Sequence, residues 1–316
     1  MDKGRTTLME YLFLVISMIS SVSRSLFSKR LCTLTSDLAG FGAVNTLISG
    51  TALASAFVYG LSRMDISIST LTLALGVLYA FFTVMAQFSY MRALSGGRVS
   101  AVSFFYSCGF LIPTAAGILI WREGITIVGA VGIALLIPAF GLCGASDKAA
   151  RKENAGDERL DEKGHLSRFH AEKSWIPWAV AAMISSGAVG LIQKIHRSSS
   201  AADEVSGFII VSMGVSVILS VIPLLFSAGS QRSLPVISKK EIIAALICGL
   251  CVGVSNIINL VLAGIIPAVI FFPVFNGGVV ILSSAAARIF YGERMTGRGI
   301  AGMICGLCGL ALAALR

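Results

Sequence analysis

The sequence predicts an all-α fold, an integral membrane protein of ten transmembrane helices arranged as two inverted five-helix repeats. Three observations carry this. Of the 316 residues, 56% are hydrophobic and 13% charged, with a mean hydropathy of +0.86, against roughly 45–50% apolar and ~25% charged in a soluble domain. Apolar runs long enough to cross ~30 Å of hydrocarbon recur along the chain. Short motifs from the first half return in the second, in the same order.

Taken in order, the runs cover 8–27, 38–61, 68–90, 99–121 and 125–145, then 176–195, 205–226, 242–262, 268–290 and 299–315. Each is expected to be helical, because unpaired backbone groups cannot be left in lipid and the runs are too long and too evenly apolar for barrel strands. The first run lacks a small-residue cleavage pattern and is followed at once by a second, so it is expected to persist as the first helix. The chain thus divides into a first repeat (1–145), a charged linker (146–174) and a second repeat (175–316). The linker mixes seven Lys and Arg with seven Asp and Glu and reads as solvated and flexible.

The repeat is written in three matches. Ala101-Val-Ser-Phe-Phe105 returns as Ala268-Val-Ile-Phe-Phe272, an offset of 167 residues. Glu123-Gly-Ile-Thr126 with Gly129 and Gly132 returns as Glu293-Arg-Met-Thr296 with Gly299 and Gly302, an offset of 170. Ser20-Ser21 with Leu26 and Lys29 returns as Ser185-Ser186 with Leu191 and Lys194, an offset of 165. Five spans per half is odd, so two such halves insert with opposite orientation, the arrangement of many secondary transporters, whose substrate site lies near the midplane between the halves.

At these residues the chain resembles the EamA-type members of the drug/metabolite transporter superfamily. The resemblance rests on the five-plus-five layout, on the stretch from Arg92 to Ser103 (RALSGGRVSAVS) leading into the fourth span, and on the Gly/Glu-containing turn before the fifth and tenth spans. It covers nearly the whole chain except 146–174. Gly292-Glu293-Arg294 fits the family turn fully, whereas Arg122-Glu123-Gly124 keeps the acid and moves the glycine. Members of the family move amino acids, metabolites or nucleotide sugars through a central cavity. The resemblance therefore implies a cell-membrane transporter rather than an enzyme, with a small polar metabolite such as an amino acid as its substrate; the lack of a carboxylate deep inside the first span points to a facilitator or exchanger of neutral or anionic solutes, with Arg24 as a candidate anion contact. A membrane-embedded enzyme acting on lipid-like substrates, and a receptor or scaffold that transports nothing, are the alternatives.

Polar side chains inside the spans are the candidate substrate contacts, because facing lipid is costly for them. Tyr79, Thr83, Gln87 and Tyr90 share one face of the third span. Asn256 and Asn259 lie about one turn apart in the eighth span, with Ser255 beside them, and Asn276 follows Pro273 and precedes Gly277-Gly278 in the ninth. Each either lines a cavity or hydrogen-bonds a neighbouring helix. The Pro273 to Gly278 segment is also a candidate bend. Asn45 in the second span is a lone amide that lines the cavity or bridges helices. Arg24, inside the first span, meets an anionic group of substrate or snorkels to headgroups. Lys29 and Lys194 hold equivalent repeat positions, where interfacial anchoring is the simpler role. Together these residues predict a cavity walled by spans one, three, eight and nine.

The formal charge of +9 points to anionic headgroups of the bilayer rather than to nucleic acid, since the basic residues are spread among loops and helix ends. No acidic residue falls at mid-span, and no metalloprotease, phosphate-loop or aspartyl-dyad motif occurs. No cofactor or metal is expected. Cys248 with Cys251, and Cys305 with Cys308, lie inside apolar runs and read as small packing residues. His165, His170 and His196 form no catalytic constellation. Outside the linker, seven Lys and Arg fall on the amino-terminal side of the membrane and eleven on the opposite side, which favours external termini, while the family resemblance favours cytoplasmic ones.

Overall fold

Apolar runs of this length close their own backbone hydrogen bonds only as helices, and helices are what the computed structural model contains. It describes residues 2–31, 34, 38–64, 66–97, 99–139, 142, 175–229, 237–291 and 297–314, with no strand among them. The linker and the Glu293 turn lie outside the described residues.

In the first half, α1 spans Asp2–Leu31, α2 Leu38–Arg63 and α3 Thr70–Gly96. The fourth expected span is two pieces, α4 (Val99–Cys108) and α5 (Leu111–Leu119), and the fifth is α6, Ile127–Ala139. The second half holds α7 (Trp175–Arg197), α8 (Val205–Gly229), α9 (Lys239–Ile265), α10 (Ala268–Tyr291) and α11 (Gly297–Ala314). Among the described residues, eight helical stretches, with α4 and α5 counted as one, are long and apolar enough to cross a membrane. This is a multi-pass membrane protein.

Side-chain caps fix several helix starts. Ser69 accepts from the Thr72 backbone N–H at 3.2 Å to open α3. Ser238 and Glu241 form a reciprocal capping box at the start of α9, satisfying two of the donors a helix N-terminus leaves unpaired. The Glu204 carboxylate adds a bond at 2.8 Å from the Ser69 N–H.

The outside of the body is apolar: Val58, Leu119, Leu225 and Ile289 expose 68%, 78%, 68% and 76% of their surface. The polar residues are turned inward. Ser212, Ser216 and Ser220 on α8 are fully buried, and each hydroxyl donates to the carbonyl four residues back, which satisfies it without a partner helix. α1 packs on α9 and α10, α2 on α8 and α9, α3 on α7 and α8, and α4 with α5 on α7 and α10.

The break between α4 and α5 falls at Gly109 and Phe110, where the chain makes tight turns from Gly109 N–H to Tyr106 O (3.2 Å) and from Phe110 N–H to Ser107 O (3.0 Å). Gly109 crosses Gly187 of α7 so closely that a Cβ at Gly187 would stand 2.7 Å from the Gly109 carbonyl. The Pro273 to Gly278 segment does not interrupt its helix, since α10 runs on through it. A proline interior to a helix costs it one backbone bond, and here the helix continues past that loss.

Candidate functional site

The centre of the body holds a cavity of about 100 Å³, lined by apolar surface with many serine, amide and tyrosine side chains among it and walled by α1, α3, α4, α5, α7, α9 and α10. Its strongest feature is Arg24. The guanidinium lies 5.4 Å from the Tyr90 ring centre and 4.9 Å from that of Tyr106, and Nη1 donates a long bond of 3.4 Å to Gln87 Oε1. Arg24 is the one charged side chain on the described wall.

Five of the nine predicted residues line this cavity: Arg24, Tyr90, Asn256, Asn259 and Asn276. The Tyr90 and Ser103 hydroxyls share a hydrogen bond of 3.1 Å. Asn259 Oδ1 accepts from Ser17 Oγ at 2.6 Å, and the Ser255 hydroxyl lies within 3.0 Å of Ser17 and 2.9 Å of Ser21. The α1–α9 seam is thus a run of hydroxyls and amides. Asn276 donates to Phe272 O at 2.9 Å. Asn256 Nδ2 reaches only the Met213 sulfur, at 3.9 Å.

The other four stand off the wall. Gln87 is buried behind Arg24, and its Nε2 has no partner among the described residues. Tyr79 is buried under Gln193, whose Nε2 donates to the Tyr79 hydroxyl at 3.1 Å. Thr83 sits one turn further along, beside that hydroxyl. Asn45 lies away from the cavity altogether: its amide donates to Ser220 Oγ at 2.6 Å, bridging α2 to α8. A lone amide buried between helices needs one partner, and the neighbouring helix supplies it.

The wall also contains residues that sequence reasoning passed over. Tyr106 on α4, and Ser186 and Gln193 on α7, bring the fourth and sixth spans into the lining. The signal was present: Ser186 is the repeat equivalent of Ser21, and both line the cavity.

Beyond the cavity, the lysines take inward roles rather than headgroup anchoring. Lys29 Nζ donates to the Leu94 and Gly97 carbonyls at 2.9 and 2.8 Å. Lys194 Nζ pairs with Glu123 Oε1 at 2.8 Å, and the same carboxylate accepts from the Val269 N–H at the start of α10 at 3.0 Å. The described cysteines are free thiols. Among the described residues no three His, Cys, Asp or Glu side chains gather as a metal site would need.

No family model matches the sequence, and no curated protein matches it. Among 28 matching chains of solved structures, one described only as the crystal structure of a protein aligns with a TM-score of 0.64 at 13% identity, over 95% of this chain and 98% of the other. At that identity the likeness is one of fold.

Proposed function

We propose that the protein is a secondary transporter, a facilitator or exchanger of the EamA type, which moves small polar metabolites such as amino acids across the cell membrane through the central cavity. The observation that carries this is the cavity itself: hydroxyl, amide and guanidinium groups gathered at the middle of a body whose outside is apolar. Polar groups at membrane depth mark solute pathways, because lipid gives them no hydrogen bonds.

The inverted repeat supports the same reading. Exchanging the first five spans for the last five turns the α3–α7 contact into α9–α1, α2–α9 into α8–α3, and α1–α10 into α7 with α4 and α5; each of these pairs packs together. The α2–α8 contact, and that of α4 and α5 with α10, map onto themselves. The cavity takes spans one, three and four from one half and six, eight and nine from the other, which are equivalent positions. Gly109, where the fourth span breaks, is the repeat equivalent of Asn276. Ten crossings in two inverted halves account for all of these correspondences.

The test is uptake and counterflow of labelled small metabolites in proteoliposomes. Saturable exchange that is weakened in Asn256→Leu through a severalfold higher KM, with the variant still folded, is the expected result. Turnover of a lipid-like substrate with no flux would favour the enzyme alternative, and neither activity would favour the receptor.

A further inference from the structure

Resting on the transport reading but narrowing its substrate class away from amino acids, we infer that the cavity selects solutes with a single negative charge and no ammonium group: small monocarboxylates that carry hydroxyl or other hydrogen-bonding groups. The inference starts from the placement of Arg24. It lies seven residues before the end of α1, about 10 Å along the axis at 1.5 Å per residue. Its guanidinium turns into the cavity, between Tyr90 and Tyr106, instead of running toward the headgroups.

A cation at that depth needs compensation. Two aromatic faces supply part of it, the Tyr106 side chain is a neutral hydrogen-bond partner, and the Gln87 carbonyl oxygen adds one bond at 3.4 Å, beyond the usual range for N–H to O. No carboxylate stands on the described wall. An anionic solute supplies the missing charge, and a carboxylate matches the flat donor edge of a guanidinium with two parallel hydrogen bonds.

The absence of an acid on the wall also shapes what else enters. A single cation neutralises one negative charge, so a phosphate monoester, with nearly two, would carry excess charge into a low-dielectric site. A zwitterionic amino acid would bring an ammonium that finds only neutral oxygens among the described lining residues. Hydroxyl groups are better served, since serine hydroxyls and amides line the wall and Asn256 holds only a weak sulfur contact.

The test uses purified full-length protein in detergent for binding and in proteoliposomes for flux. Four probes of similar size are compared: lactate, its neutral amide lactamide, zwitterionic alanine, and inorganic phosphate. Lactate is expected to stabilise the protein against heat and to exchange, with the other three weaker by about tenfold or more. Arg24→Gln should abolish the advantage of lactate over lactamide, and Arg24→Lys should keep part of it. If Arg24→Gln does not fold, the wild-type comparison of lactate with lactamide decides alone. Equal responses to lactate and lactamide, stronger responses to alanine or phosphate, or a lactate response untouched in a folded Arg24→Gln protein would overturn the inference. Flux of neutral solutes that ignores Arg24 would sink the anion site and leave transport standing. Arg24-dependent lactate binding without flux would do the reverse.

Discussion

Lys194 Nζ stands 2.8 Å from Glu123 Oε1, with both side chains largely buried at 10% and 13% exposure. The contact ties the end of α7 to the turn between α5 and α6, and through the Val269 N–H that turn is tied to the start of α10. One carboxylate therefore joins three chain segments.

Removing one member of a buried pair leaves the other charge without its counterpart. Glu123→Gln should destabilise the protein by about 2 kcal/mol, below the range for fully buried pairs because some water reaches this one. The exchange Glu123→Lys with Lys194→Glu should recover part of the ion pair but lose the cap on α10. Thermal unfolding in a fixed detergent checks the order: wild type, then the exchange, then the single variants.

The same carboxylate sets a pH dependence. Burial works to raise its pKa, but hydrogen bonds from Lys194 and from the backbone N–H groups of Val269 and Ala268 outweigh burial and hold it below its ordinary value. A group depressed in the folded state stabilises above its unfolded pKa, about 4.3 for Glu, and that stability is lost as pH falls through the lower folded value. The melting temperature should hold from pH 7 to about 5 and fall below about 4. Glu204, held low by bonds from Thr72 and Ser69, contributes with the same sign. Glu123→Gln should therefore shallow the acid limb without removing it.

Arg122 occupies left-handed backbone at φ 50°, where a side chain costs about 1–2 kcal/mol. The repeat equivalent of Arg122 is Gly292, a residue without that penalty. Arg122→Gly should stabilise the protein by about 1 kcal/mol, the relief of strain being partly offset by the greater freedom of glycine when unfolded. Chemical denaturation at constant lipid or detergent composition measures it.

Asn45 and Asn256 offer a matched contrast. Asn45→Leu should cost about 1 kcal/mol of stability by breaking the α2–α8 bridge while leaving the apparent KM for any transported solute unchanged. Asn256→Leu should leave the melting temperature near wild type and raise KM severalfold. Both readings together separate a helix bridge from a wall residue.

The helices were legible because lipid leaves the backbone little choice, so apolar length alone foretells them. The cavity was legible in part. Tyr79, Thr83, Gln87 and Tyr90 do share a face, yet only Tyr90 reaches the wall, because Gln193 of α7 lies over Tyr79 and Arg24 lies over Gln87. Which helix stands between a polar stripe and the cavity is a property of packing, and no one-dimensional pattern carries it. Asn45 shows the same limit: an amide bonded to Ser220 and an amide facing a solute have one and the same sequence signature. The break at Gly109 was hidden among 33 glycines, whereas Pro273, the plainer signal, does not break α10.

That break has a mechanical side. At Gly109 the fourth span is held by two short backbone turns and by the Ser186 hydroxyl, which donates to the Tyr106 carbonyl at 2.7 Å; its counterpart α10 is one continuous rod. A rod transmits displacement along its whole length, while a jointed helix absorbs it at the joint. On the transport reading proposed above, a jointed fourth span opposite a continuous ninth would give the two mouths of the cavity different levers.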